Sequence, residues 1–407
     1  MAPLLPGEPQ LAPLLEQAHD LQQAAQRLAG AGAPAELRRL LRAMNAYDSL
    51  TLEGLQVSPL DMERALHRGD VLGNGLDEAG ARRQRRVLAH MDTESALEAR
   101  WSGWSMQRVW SAQMVRDIHQ DLFARLPEAD LVLPAGDAMV PGALRRRAAF
   151  VATHAAPAPA AVGALLARWG AVYGGVRRGE LQLVAVAASH HRLAWIHPFP
   201  DGNGRVARLH THLALGALGL TQGLWSPLRG FARGGQAYRA QLAAADAPRA
   251  GGLDGPGERS ERALVAWIGY VLALCSDQVA LMAGLLDLSG LKDRIAACLA
   301  YEENVVRQGV RSESLRALHY LLLTQSALER SDFKALLGLG ERLATAQVTA
   351  LLKRGLLATD SPHGKLRFGV PQHALRFYFP GLWPEAEAGR DTRDEGLKPK
   401  LNQCGQL

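Results

Sequence analysis

The stretch His197-Pro-Phe-Pro-Asp-Gly-Asn-Gly-Arg-Val-Ala-Arg208 gathers an imidazole, a carboxylate, a glycine-flanked asparagine and two guanidinium groups. An imidazole titrates near neutral pH, so His197 can take the proton of an attacking hydroxyl. Gly202 and Gly204 let the backbone turn tightly around Asn203 with its amides outward. A helix starting at about Asn203 to Arg205 offers free N–H groups and a positive dipole end, an anion site. Arg205 and Arg208, three apart, add positive groups near that end, which suits nucleotide phosphates. Asp201 lies beside them, placed to hold a Mg²⁺ that bridges two phosphates. A lone histidine before proline is usually a loop residue, and Asp-Gly-Asn-Gly alone is usually a turn. Together the groups make a phosphate cradle, a metal carboxylate and a base, the parts of nucleotidyl or phosphoryl transfer by in-line displacement.

Helices must position this stretch. An apolar helix over Glu180–Ile196 stops before Pro198 and Pro200, and a second resumes over Arg205–Leu218. Helical periodicity also covers residues 11–30, Glu36–Leu52 (with Gly54 as its stop), Asp77–Leu97, Ser105–Leu126, Val162–Tyr173 and Arg262–Leu286. Residues 127–160 break the pattern. Within them Ala143–Ala152 reads as a strand or hairpin arm, with Arg145, Arg146 and Arg147 as a solvated edge, and Ala155–Ala161 as a linker. His190, His191, His210 and His212 flank the loop on helices; their spacing fits no standard metal site and reads as helix packing or solvated faces. From Ser312 onward come helices over Leu315–Leu323, Ser331–Leu337 and Leu343–Lys353, then short strands over Leu356–Thr359 and Lys365–Phe368. That is the order of a winged helix-turn-helix. The polar tail beyond Glu387 reads as disordered.

At 407 residues and 48% hydrophobic, the chain has the size of two or three globular domains. A net charge of +6 permits a phosphate-bearing partner without requiring one. Cys275, Cys298 and Cys404 fit neither a metal spacing nor a disulfide framework, which suits a reducing cytoplasm. No run of about 18 apolar residues is evident, so no membrane span is expected, and the first residues lack the pattern of a secretory leader.

His197–Arg208 resembles the signature loop of Fic-domain (Fic/DOC) proteins at every fixed position. Leu224-Trp225-Ser226, Arg229–Phe231 and Tyr238–Leu242 follow in that family's order, and Trp267 lies in a helix where the family has one. The resemblance covers about residues 35–290 and implies a mainly α protein: a helical core with a small β-hairpin flap near Pro141–Val151. It implies ATP as donor, Mg²⁺, and transfer of AMP to a hydroxyl of a target protein. Carried onto these residues, His197 is the catalytic base and Asp201 the metal ligand. Gly202, Asn203 and Gly204 line the phosphate cradle, Arg205 assists, and Arg208 holds the outer phosphates. Ser49-Leu-Thr-Leu-Glu53-Gly54 resembles the family's inhibitory helix, in which Glu53 would pair with Arg208 and exclude ATP or bind it unproductively. The expected plan is an N-terminal helical region over 1–110 with the inhibitory helix at about 36–54, a Fic core over 111–290, a winged-helix domain over 291–385, and a tail over 386–407. Two other readings stay open. One is a nucleotide-sensing regulator that binds DNA or a protein through the winged helix; the other is an enzyme that removes AMP from a modified protein.

Overall fold

The computed structural model describes residues 1–30, 35–58, 62, 66, 77–100, 103–133, 136–151, 154–324 and 326–382. The expected tail over 386–407 lies outside the described residues. In chain order the helices are α1 (Glu8–Ala29), α2 (Ala35–Leu52), α3 (Glu78–Glu98), α4 (Met106–Val109), α5 (Ala112–Phe123), α6 (Val162–Gly174), α7 (Gly179–Ile196), α8 (Asn203–Ala217), α9 (Pro227–Arg233), α10 (Gly235–Ala245) and α11 (Glu261–Leu286). They continue with α12 (Leu288–Tyr301), α13 (Leu315–Thr324), α14 (Arg330–Leu337), α15 (Glu341–Lys353) and α16 (Gln372–Tyr378). Strands β1 (Phe150–Val151) and β2 (His154–Ala155) form one antiparallel pair, β3 (Leu357–Ala358) and β4 (Arg367–Phe368) another. The fold is mainly α. The chain divides into two compact units, Met1–Ala283 and Gly284–Leu407.

The first unit is built around α7 and α8. Both are buried along most of their length; α7 is apolar on most sides, and α8 buries arginines and histidines as well. They pack on each other, with α1 and α6 against α7 and α5, α3 and α2 against α8. Two tryptophans pin α7: Trp169 Nε1 donates to Ser189 O (3.1 Å) and Trp267 Nε1 to Ala187 O (2.7 Å). The close crossing of α6 needs glycine, because a Cβ on Gly170 would come 2.2 Å from the Trp110 carbonyl oxygen. The single helix expected over Ser105–Leu126 is two, because Ser111 caps α5 by accepting the Met114 N–H at 3.0 Å.

One reading of composition is corrected. Helix α11 is long and apolar enough to cross a membrane by those two measures alone, and half of its most apolar window is buried inside the protein. A core helix has this same composition.

In the second unit α13, α14 and α15 precede the β3–β4 hairpin, in which Leu357 pairs with Phe368 and Ala358 with Arg367. Leu328 bridges Leu366 and so adds a third strand-like segment. Buried Glu302 accepts from Arg354 Nε (2.6 Å) and Nη2 (2.7 Å).

Candidate active site

His197 ends α7 in the left-handed region, at φ 49° and ψ 63°. That conformation costs a non-glycine residue roughly 1–2 kcal/mol and persists only where the surroundings enforce it. Here Pro198 stops the helix, and Arg145 clamps the turn. Arg145 Nε donates to His197 O (2.7 Å), its Nη2 to Ile196 O (3.4 Å), and its backbone N–H to Pro198 O (2.9 Å). Arg145 is therefore no solvated strand edge: it is 5% exposed, and only Arg146 and Arg147 face solvent. Helix-end carbonyls lack internal partners, and the guanidinium fork supplies them.

Asn203 closes the loop from the other side. Its Oδ1 accepts the Phe199 N–H and its Nδ2 donates to Phe199 O, both at 2.8 Å. The Asn203 side chain is thus committed to loop shape, leaving its backbone amide for the cradle. Phe199 stacks on His119 with ring centroids 3.9 Å apart. His119 Nδ1 accepts the Gly142 N–H (2.8 Å), so the proton sits on Nε2, which faces Asp201 O at 3.2 Å. Burial pushes His119 down to about 4, keeping that tautomer neutral.

Gly202 starts α8 at φ 76°, and a Cβ there would come 2.6 Å from the Phe123 ring. Gly204 follows in the first helical turn, where amides have no intrahelical acceptor. A Cβ on Gly204 would come 2.9 Å from Glu53 Oε1 and 2.8 Å from Arg208 Nη1. The Glu53 carboxylate therefore lies against the mouth of the cradle. Its Oε1 accepts from Arg208 Nη2 at 2.9 Å, and its Oε2 lies 2.6 Å from Arg205 Nε. The second contact is a close ion pair without hydrogen-bond alignment, since Arg205 Nε has no aligned acceptor. Arg208 also donates from Nε to Ser49 Oγ (3.0 Å) and from Nη2 to Ser49 O (2.8 Å). Both arginines are nearly fully buried. Ser49 and Glu53 thus meet Arg208 as the sequence pattern suggests, and Glu53 engages Arg205 as well, which the pattern does not.

Asp201 is half exposed at the loop mouth, with Oδ2 on Arg205 Nη2 at 3.0 Å. Burial pushes its carboxyl up, but Arg205, the Gly202 amide and Arg86 together hold it below the usual carboxylate range. It is charged and accessible, beside the anion site, as a Mg²⁺ ligand must be. Burial first, then Arg145 and His154, pushes His197 down to about 4. At neutral pH its imidazole is unprotonated, the form that accepts a proton. A cavity of about 620 Å³ flanks the loop at Pro200, between it and the segment carrying Met139, Val140 and Leu144. The β1–β2 hairpin beyond overlaps the expected flap and leaves Phe150 78% exposed.

The four flanking histidines are buried rather than solvated. His190 meets Thr211 Oγ1 (2.7 Å) and Tyr238 Oη (2.9 Å), His191 meets Leu242 O (3.1 Å), and His210 meets Val109 O (2.9 Å). His212 faces carboxylates of α3.

A left-handed histidine, a glycine-turned helix start with two buried arginines, and a half-exposed carboxylate come together where α7 gives way to α8. Residues 109–215 match the Fic/DOC family. The fold is similar to that of a Fic family protein from Desulfovibrio desulfuricans G20, at 18% identity and a TM-score of 0.53, covering 91% of this chain and 99% of that one. Residues 134–508 of Fic-1 from C. elegans match at 18% identity and a TM-score of 0.45, over 68% of this chain and 72% of that one. No curated protein matches the chain.

Proposed function

We propose that the protein transfers AMP from ATP to a hydroxyl side chain of a target protein, and that Glu53 restrains it. The observation that carries this reading is the Glu53 carboxylate shared between Arg205 and Arg208 at the N-terminus of α8. A carboxylate brought from α2 to an anion site stands in for a phosphate.

The amides of Gly202, Asn203 and Gly204, with Arg205 and Arg208, bind the phosphates of ATP. His197 takes the proton of the attacking hydroxyl as its oxygen bonds to the α-phosphorus, and the bond to the β-phosphate oxygen breaks to release pyrophosphate. Asp201 would hold Mg²⁺, which would offset charge on the phosphate oxygens. Arg145 and His119 keep the loop rigid, so that little reorganisation is needed at the moment of reaction. While Glu53 occupies Arg208, the outer phosphate loses its partner and ATP sits unproductively or not at all.

We further propose that the C-terminal unit is a winged helix-turn-helix used for docking. Its three helices followed by a hairpin support this. Incubating the purified chain with ATP and Mg²⁺, alone and with lysate proteins, tests the main reading by mass spectrometry. AMP on a hydroxyl residue supports it; unmodified protein in every sample, including with Glu53→Gly, counts against it.

A further inference from the structure

One turn past Arg208 on α8, His212 meets two carboxylates of α3. Its Nε2 lies 3.1 Å from Glu98 Oε1 and 3.6 Å from Glu94 Oε1. One ligand atom from each of the three residues falls within 4.8 Å of the others. A tetrahedral ion bound at about 2.0–2.1 Å from nitrogen and oxygen holds its ligand atoms roughly 3.4 Å apart, and the two separations from His212 straddle that value.

A plain ion pair accounts for His212 with Glu98 but not for their surroundings. His90, one turn before Glu94 on the same face of α3, points Nδ1 at Glu94 Oε2 across 3.7 Å, beyond hydrogen-bond reach. Neither ring nitrogen of His90 has a hydrogen-bond partner, nor has Glu94 Oε2, and both residues are 1% exposed. Buried orphans of this kind call for an explanation such as an ion. The carboxylates are also braced from behind, as metal ligands are. Asn45 Nδ2 donates to Glu94 Oε1 (2.7 Å), and Arg42 Nε donates to Glu98 Oε2 (2.6 Å).

We propose that Glu94, Glu98 and His212, with His90 as the fourth ligand, bind one first-row divalent transition-metal ion at a site separate from Asp201. Two imidazoles with two carboxylates suit Zn²⁺ or Mn²⁺, whereas Mg²⁺ and Ca²⁺ favour all-oxygen shells. The site joins α3 to α8, and its bracing groups come from α2, the helix that leads into Glu53. It does not depend on the transfer reading, since none of its four ligands belongs to the loop His197–Arg208.

The test uses the full chain without a polyhistidine tag, stripped by a chelator and titrated with Zn²⁺ by calorimetry, with melting temperature followed in parallel. The expected result is one Zn²⁺ per chain, a raised melting temperature, and an X-ray absorption spectrum showing two imidazoles among the ligands. Glu98→Gln and His90→Gln should each weaken binding by more than about a hundredfold, the upper range for loss of an outer-shell partner, while Asp201→Ala should leave it unchanged. His90→Gln removes no hydrogen bond, so that variant should fold even if Glu98→Gln does not. Absence of stoichiometric Zn²⁺ binding, or binding unaffected by His90→Gln, would overturn the site.

Discussion

The N-termini of α8 and α15 look alike in sequence and differ in what neutralises them. Each begins after a glycine that offers no side-chain cap, Gly202 for α8 and Gly340 for α15. At α15 the acid is local: Glu341 lies in the first turn, paired with Lys334 at 2.6 Å. Such a residue answers the helix dipole at little cost and marks an ordinary helix start. At α8 the first turn holds no acid. Two buried arginines raise the positive potential, and the balancing carboxylate comes from Glu53, far away in the chain. A charge supplied from elsewhere in the fold can be withdrawn, and withdrawing it leaves a vacant anion site. The difference separates a helix start balanced by its own acid from one balanced by a carboxylate supplied from elsewhere in the fold.

The largest expected effect tests whether α8 serves chemistry as well as binding. His197→Ala should lower AMP transfer by about 10² to 10⁴ while ATP affinity, read by calorimetry in a Glu53→Gly background, stays within a few-fold. Full activity would remove His197 as the base. Next comes the frame of the site. His119 and His210 are buried and pushed down to about 4. The unfolded chain binds protons at these positions below about 6.5, whereas the native state refuses them until about 4. Stability is therefore whole above 6.5 and lost as the pH falls through that window, by roughly 3 kcal/mol per histidine at its lower end. Urea midpoints at pH 7.5, 6 and 5 should fall steadily, and a flat series would contradict the burial-driven shifts.

Asp201→Ala should reduce the rate and shift the Mg²⁺ titration to higher concentration. An unchanged titration would mean that the metal is held elsewhere. The smallest effect concerns α15. Its basic groups are few, and Arg354 just beyond it is tied to buried Glu302. If the C-terminal unit meets DNA, the slope of log affinity against log salt should be no steeper than about −2, two phosphates' worth. A steeper slope in a gel-shift titration would make α15 an electrostatic surface and break the contrast with α8.

The loop was legible because its chemistry is contiguous. Proline stops, glycine turns and paired arginines act within one segment, so local rules suffice. The contact of Ser49 and Glu53 with Arg208 was legible for a similar reason, since the two residues lie four apart where α2 ends. What stayed hidden depends on tertiary contact. Arg145 looked like one member of a solvated run, yet it clamps the turn at His197. Nothing in the pattern of α5 marks His119, which acts only because Gly142 and Asp201 come to its two nitrogens. His212 was visible but its partners were not, because Glu94 and Glu98 lie on a helix more than a hundred residues earlier. Helix α11 shows the reverse error: its composition says little until packing shows which face is covered.

The central claim is that Glu53 fills a site meant for phosphate. It is tested most directly by AMP incorporation, read by intact mass, in four forms of the protein supplied with ATP and Mg²⁺: wild type, Glu53→Gly, Arg208→Ala and the double variant. Removing a competing charged hydrogen bond is worth roughly 1.5–3 kcal/mol, so Glu53→Gly should gain at least about tenfold over wild type. The double variant should match Arg208→Ala alone, because the same guanidinium serves the restraint and the nucleotide. Equal incorporation in wild type and Glu53→Gly would contradict the account and leave Glu53 a structural partner of two arginines.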